Sequence, residues 1–214
     1  MPGFDPRRGE QAIEQIAAAL GAELDADASR ALLAYVQLIA TWNERTNLTA
    51  ARGESALCEV LLVDAMVVAR GDLIERDASL LDVGTGAGAP IMPLLLLRPD
   101  LRAVCVEPLN KRAALLRTAS VRLGLHGRMQ VSAQSIDPAA PVFSGAFSLA
   151  LSRATFEPSL WLRVGLALAP SVLVFLAGDA TLPATPAAAC ARREAYSLPL
   201  SGAPRCVARY ERRE

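Results

Sequence analysis

The sequence predicts an α/β fold: a doubly wound, mainly parallel sheet preceded by a cap of helices. From Ser79 onward, short apolar runs alternate with amphipathic segments, which is the pattern of βαβ units. The first of these runs leads directly into Gly84, Gly86 and Gly88, as expected for a buried strand followed by a tight turn. The residues before Ser79 instead carry apolar side chains at helical spacing.

The elements follow from these two periodicities. Helices are predicted over residues 10–20, from a cap at Asp25 or Asp27 to about residue 44, and over 54–70. Parallel strands are predicted near 79–84, 103–107, 129–133, 146–152 and 171–177. Helices are expected between them near 90–97, 110–124 and 157–169, and two antiparallel edge strands near 193–199 and 204–211. We expect a loose terminus at 1–9, a helical extension at 1–74 and a sheet domain at 75–214.

Composition limits the possible classes of protein. The chain has 214 residues, of which 52% are hydrophobic, so it can bury a large core. No apolar run reaches the roughly 18 residues of a membrane span, and no secretory signal is visible, so we expect a cytoplasmic protein without a membrane partner. The four cysteines match no metal-ligand spacing, which favours reduced thiols and no metal site. The zero net charge counts against a broad nucleic-acid footprint but leaves room for a local basic patch.

The glycine turn is typical of a nucleotide site. Glu107 ends the next apolar run about 20 residues further on, where a carboxylate can accept both hydroxyls of a ribose. The spacing is G-x-G-x-G, unlike the dinucleotide fingerprint, and Asp82 precedes the turn. A carboxylate there would repel a pyrophosphate but suits a cation, so we favour S-adenosylmethionine over NAD as the ligand. A turn that only packs a strand against a helix is the alternative.

Several motifs occur in one order along the chain: Trp42-Asn43-x-x-x-Asn47-Leu48-Thr49, then Asp82-Val83-Gly84-Thr85-Gly86-x-Gly88-x-Pro90, then Arg98-Pro99, Lys111-Arg112 and Ser152-Arg153-Ala154. Together they resemble the bacterial 16S ribosomal RNA guanine-N7 methyltransferase family, also called RsmG or glucose-inhibited division protein B. The likeness runs from about Leu32 to Leu176. It implies a class I methyltransferase sheet of seven strands, S-adenosylmethionine as donor, and 16S rRNA or the small ribosomal subunit as partner. We expect a monomer.

The resemblance also implies roles for individual residues. Those expected at the cofactor are Asp82, Gly84, Gly86, Gly88, Ala89, Glu107, Ser135, Ile136 and Arg153. Ala89 stands where a leucine is usual, and Asp137 adjoins the position of an acid that faces adenine. Arg153 is the one expected catalytic group. It would act by positioning, because guanine N7 has a free lone pair and needs no general base.

The expected substrate contacts are Asn43, Asn47, Lys111 and Arg112. Each has a structural alternative. The asparagines can hold the turn after the second helix, the basic pair can form a solvated helix face, and Arg153 can cap helix carbonyls.

Two positions depart from the family pattern. Where the family has R-H-x-x-D-S, residues 60–65 keep only Asp64, and Ala177 stands where a lysine precedes Gly178. Both changes remove positive charge or polarity from the expected RNA face. They keep two alternatives open: a methyltransferase that acts on another RNA, a small molecule or a protein, and a non-enzymatic relative that binds a partner.

Overall fold

A computed structural model describes residues 4–213, which form six helices and seven strands. The helices are α1 (Pro6–Leu20), α2 (Ala26–Thr46), α3 (Glu54–Arg70), α4 (Ile91–Leu97), α5 (Asn110–Arg122) and α6 (Pro158–Leu168). The strands are β1 (Ser79–Val83), β2 (Arg102–Val106), β3 (Met129–Ser132), β4 (Leu149–Ser152), β5 (Ser171–Ala177), β6 (Ala188–Ser197) and β7 (Pro204–Arg212).

The strands form one sheet in the order β3-β2-β1-β4-β5-β7-β6. The first five strands are mutually parallel, whereas β7 runs antiparallel to both β5 and β6. Strands β2 and β3 lie on one side of β1, and β4 and the later strands lie on the other side, so the strand order reverses between β1 and β4. In open α/β sheets, ligands bind at the carboxyl ends of the strands flanking such a reversal. The topology therefore directs attention to the residues that follow β1, β2 and β4.

Three predicted boundaries were wrong. Helix α1 begins at Pro6 rather than residue 10, because Asp5 caps it by accepting a hydrogen bond from the Arg7 N–H. Strand β4 begins at Leu149 rather than residue 146. Strand β6 begins at Ala188 rather than residue 193, because residues 188–192 also pair with β7. Tertiary pairing there overrides the low strand propensity of alanine.

The N-terminal helices and the sheet share one hydrophobic core. Ile16 of α1, Leu62 of α3 and Leu80 of β1 belong to the same buried cluster, and each is fully buried. Tyr35 of α2 reaches the turn after β1, where its hydroxyl donates to the Ala87 carbonyl oxygen at 3.1 Å. The helical layer therefore packs directly against the backbone of the glycine turn.

The hairpin formed by β6 and β7, referred to below as the β6–β7 hairpin, lies along α3. Glu194 forms an ion pair with Arg70 at 2.7 Å. At the hairpin tip, Glu59 Oε1 accepts hydrogen bonds from the Leu200 and Ser201 N–H groups, at 2.5 and 3.0 Å. A helix from the first third of the chain is thus fixed to the last two strands.

Within residues 4–213, no helix combines the length and apolar character needed to cross a bilayer. Cys58, Cys105, Cys190 and Cys206 are all free thiols.

Candidate cofactor and acceptor site

The turn after β1 is built from glycines in left-handed conformations. Gly84, Gly86 and Gly88 have φ of 76°, 58° and 93°, values that side chains rarely allow. The Gly84 N–H donates to the Val106 carbonyl oxygen at 2.8 Å, which fastens the start of the turn to the end of β2. The turn therefore lies directly over the carboxyl ends of the two strands.

The three glycines are needed for different reasons. A Cβ built on Gly84 would lie 2.2 Å from Thr155 Oγ1, and one on Gly88 would lie 2.6 Å from Met92 Sδ. A Cβ on Gly86 would have only the Gly84 carbonyl oxygen within 4 Å, at 3.8 Å. Gly84 and Gly88 thus allow the protein to pack against itself, whereas the space beside Gly86 is open to a ligand.

Glu107, at the end of β2, faces this turn. One carboxylate oxygen accepts from the Gly86 N–H at 2.9 Å and the other accepts from the Leu109 N–H at 3.0 Å. The residue is only 3% exposed. Because each carboxylate oxygen has two acceptor sites, the carboxylate retains acceptor capacity while the two backbone groups fix its orientation.

Asp82 lies in β1 just before the turn and is 1% exposed. Its Oδ2 has no hydrogen-bond partner among the described residues, which is costly for a buried carboxylate. Burial raises the pKa of Asp82 to about 7; the Thr85 side chain and the Arg153 charge oppose this rise, and the Glu107 charge adds to it. A buried acid with one unpartnered oxygen beside an open turn is a site prepared for a cationic or hydrogen-bonding ligand group.

The raised pKa of Asp82 predicts an unusual pH dependence of stability. The folded protein binds the proton more tightly than the unfolded chain, whose aspartate has a pKa near its ordinary value of 3.8. The free energy of unfolding should therefore fall as the pH rises from about 4 to about 7 and then level off. Urea unfolding of the ligand-free protein at pH 5 and pH 8 measures this change.

In Asp82→Asn the same comparison should show a smaller fall in stability, because the amide does not titrate. A wild-type protein that is as stable at pH 8 as at pH 5, or an identical fall in the variant, would contradict the assignment.

Arg153 follows β4, on the other side of β1. Its Nη1 donates to the Val60 carbonyl oxygen at 2.7 Å and to Asp64 Oδ2 at 2.8 Å, both on α3. The arginine therefore does bond a helix carbonyl, as the structural alternative foresaw. It is also near the site, because its charge partly opposes the rise in pKa that burial causes at Asp82 and Tyr35.

The loop after β3 reaches the same edge of the sheet, because the Glu107 N–H donates to the Ser132 carbonyl oxygen at 3.0 Å. In this loop Ser135 is exposed, whereas Ile136 is 8% exposed and belongs to the core beneath α6. Ala89 is 7% exposed and packs into the other core cluster. Of these three expected cofactor contacts, Ser135 has its side chain free.

The expected substrate residues divide into two groups. Asn43 uses both ends of its amide to bind the Thr49 backbone, at 2.9 and 3.0 Å, which favours the turn-holding alternative. Asn47 ends α2 in a left-handed conformation with its side chain exposed. Lys111 is exposed and Arg112 half-buried in the first turn of α5, four and five residues after Glu107. Lys111 and Arg112 are thus close in the chain to the expected ribose acid, whereas Asn43 lies in the last turn of α2 and Asn47 caps that helix.

A large surface cleft lies away from the glycine turn. It has a volume of about 480 Å³ and is formed between Phe4, the end of α2 with the residues that follow it, and the start of α3. Its lining includes Phe4, Asn43, Asn47, Arg52 and Glu54. This cleft is therefore separate from the site at the strand ends.

No cluster of three or more potential metal ligands occurs in the part of the chain that the structure describes.

Sequence reasoning missed several contributors to the site. Tyr35 and Thr155 contact the turn backbone, at Ala87 and Gly84, from elements distant in the chain. Leu109 is 53% exposed although it is apolar, and its N–H binds Glu107. The sequence shows a leucine two residues after the expected ribose acid, and this position could have drawn attention to it. The contacts of Tyr35 and Thr155, in contrast, depend on folding.

The sheet order, its antiparallel β7 and the glycine turn at the strand reversal define a class I methyltransferase fold. TrmN from Thermus thermophilus has the same fold, with a TM-score of 0.53 and 21% identity over 71% of this chain and 48% of that chain. The family model described as rRNA small subunit methyltransferase G matches residues 28–163. The chain belongs to this family.

Curated relatives agree with the family model. A ribosomal RNA small subunit methyltransferase G from Anaeromyxobacter dehalogenans is 33% identical over 204 residues, which cover 91% of this chain and 94% of the relative. A protein of the same name from Methylobacillus flagellatus is 33% identical over 157 residues, covering 72% of this chain and 73% of the relative.

Proposed function

We propose that this protein transfers a methyl group from S-adenosylmethionine to N7 of a guanine in 16S ribosomal RNA. The observation that carries the proposal is the buried Asp82 carboxylate, one oxygen of which has no partner among the described residues, next to an open glycine turn that Glu107 faces. These features fit a ligand that combines a ribose with positive charge. Membership of the rRNA small subunit methyltransferase G family supports RNA as the acceptor.

The cofactor would extend along the carboxyl ends of β1 and β2. Asp82 would attract the positive charge of the methionine part, and the open space beside Gly86 would admit its backbone. Glu107 would accept the ribose hydroxyls with its remaining lone pairs. The exposed apolar surface of Leu109 and the loop containing Ser135 and Ile136 would flank the adenine.

The reaction requires positioning rather than proton transfer. When bound, S-adenosylmethionine supplies an electrophilic methyl group: the N7 lone pair forms the new N–C bond while the electrons of the broken S–C bond return to sulfur. Positive charge passes from sulfur to the base, and no proton moves. Arg153 would orient the acceptor base, since α3 holds the guanidinium by one nitrogen.

The RNA surface would include Lys111 and Arg112, which follow the cofactor acid, and Asn47, whose exposed amide ends α2. Asn43 is left out of this set because its amide binds the Thr49 backbone. We also propose that the helical extension predicted at 1–74, of which residues 4–74 are described, covers the site, with the Tyr35 hydroxyl bonded to the glycine turn.

The proposed function is tested by comparing 16S rRNA from cells with and without this protein by mass spectrometry. One 7-methylguanosine should be missing without the protein and should return with the wild-type gene, but not with Arg153→Ala. Purified protein should then methylate the unmodified 16S rRNA, either free or in small ribosomal subunits. Identical rRNA from both cells, together with methyl transfer to a small molecule or protein, would overturn the choice of acceptor but not that of cofactor.

A further inference from the structure

Asp64 of α3 lies between Arg153 and the β6–β7 hairpin. Its Oδ2 accepts from Arg153 Nη1 at 2.8 Å, and its Oδ1 accepts from the Tyr196 hydroxyl at 2.5 Å. The side chains of Arg153 and Asp64 are 22% and 13% exposed, so this contact is largely shielded from solvent. Three segments distant in the chain thus meet at one carboxylate.

The two contacts depend on each other through the orientation of that carboxylate. The last torsion of an aspartate is broad, so one partner alone leaves the carboxylate free to rock. Burial, together with the Asp64 charge, raises the pKa of Tyr196, so the hydroxyl keeps its proton and donates it. With Oδ1 held by this short bond, Oδ2 faces Arg153.

The Tyr196 hydroxyl is not needed to dock the hairpin. The hairpin is already fixed to α3 by the Arg70–Glu194 ion pair and by the Glu59 contacts at its tip. The Tyr196 ring packs against the main hydrophobic cluster. The hydroxyl therefore adds a directed contact to an interface that is otherwise complete.

Arg153 itself is held by only one of its nitrogens. Among the described residues, both of its hydrogen bonds use Nη1, one to Val60 and one to Asp64. The remaining nitrogens are available to a ligand, and their direction depends on how firmly Nη1 is held. Asp64 is the only charged partner of this arginine within residues 4–213.

We propose that Tyr196 is a positioning residue for methyl transfer, which acts by orienting the Asp64 carboxylate that holds Arg153. The inference rests on the proposed function, in which Arg153 orients the acceptor base. The cofactor site alone is then not sufficient for the reaction. The β6–β7 hairpin is also required, because it fixes the orientation of Arg153.

The test compares Tyr196→Phe with Tyr210→Phe. Tyr210 is the matched control because it is a buried tyrosine of the same hairpin whose hydroxyl donates to the Pro183 carbonyl oxygen at 2.7 Å. Tyr196→Phe should lower kcat roughly tenfold and leave KM for S-adenosylmethionine within about twofold. Tyr210→Phe should lower the melting temperature by a similar amount without this loss of kcat.

A double-mutant cycle with Asp64→Asn tests the route of the effect. In the Asp64→Asn background, Tyr196→Phe should change kcat by less than about twofold, because the carboxylate it orients is gone. Equal losses of kcat in the two phenylalanine variants, or losses at Tyr196 and Asp64 that simply multiply, would overturn the proposal.

A second measurement does not depend on activity. In ¹⁵N-arginine spectra of the ligand-free protein, the Arg153 side-chain signal, assigned with Arg153→Lys, should shift in Tyr196→Phe and stay in place in Tyr210→Phe. If the wild-type protein transferred no methyl group to rRNA, the proposed function would fail, but this measurement would still show whether Tyr196 orients Arg153. An unshifted Arg153 signal in Tyr196→Phe would overturn the proposal that Tyr196 orients this arginine.

Discussion

Gly86→Ala should weaken S-adenosylmethionine binding by roughly 30-fold or more, equivalent to about 2 kcal/mol, while the protein stays folded. The new methyl group would meet no protein atom closer than 3.8 Å, so it would project into the space that we assign to the ligand. Its cost to folding should come from the left-handed backbone alone, on the order of 1–2 kcal/mol. Isothermal titration calorimetry and urea unfolding measure the two effects separately.

Gly124→Ala is the matched control for this prediction. Gly124 also has a left-handed backbone, with φ of 69°, and a Cβ there would have no neighbour within 4 Å. It should lose similar folding stability but bind the cofactor normally. If Gly86→Ala bound as tightly as Gly124→Ala, the ligand would not lie beside the turn. Gly84→Ala is unsuitable here, because its Cβ would clash with Thr155.

Glu107→Ala should weaken S-adenosylmethionine binding by roughly 10- to 150-fold, because hydrogen bonds to a charged group contribute about 1.5–3 kcal/mol. Two losses combine in this variant. The ribose hydroxyls lose their acceptor, and the Gly86 and Leu109 N–H groups lose the carboxylate that orders them. Glu107→Gln should bind with intermediate affinity, since one amide oxygen remains as an acceptor.

Methylthioadenosine separates the role of Glu107 from that of Asp82, because it contains the adenosine but lacks the charged methionine groups. Glu107→Ala should weaken the binding of methylthioadenosine and of S-adenosylmethionine by similar factors. Asp82→Asn should weaken only the binding of S-adenosylmethionine. If Glu107→Ala bound methylthioadenosine normally, the acid would not contact the ribose.

The sheet could be predicted because its signals are local. The apolar run of β1, the glycines after it and the acid at the end of β2 each lie within a few residues, and the class I fold followed from their order. The errors arose where distant parts of the chain decide the outcome. Residues 188–192 form part of a strand only because β7 lies beside them, and no local preference of Ala-Ala-Cys-Ala-Arg indicates this.

The candidate site shows the same division. Spacing along the sequence indicates Asp82, Gly86 and Glu107, and folding brings them together at one edge of the sheet. The surroundings of Arg153 were not predictable. Asp64 was noticed only as the remaining member of a family motif, and Tyr196 lies 132 residues from it along the chain. From the sequence alone, Asn43 could either contact the substrate or hold the turn after α2. Its hydrogen bonds to the Thr49 backbone favour the second role.

The long sequence separation between Asp64 and its two partners affects the order in which the protein folds. The bond from Asp64 to Tyr196 spans 132 residues and the one to Arg153 spans 89, so both close large loops. Such contacts form late in folding, because the entropy of loop closure must be overcome first. A folding intermediate with a complete glycine turn but an undocked β6–β7 hairpin would bind S-adenosylmethionine without an oriented Arg153. Such an intermediate would not methylate RNA.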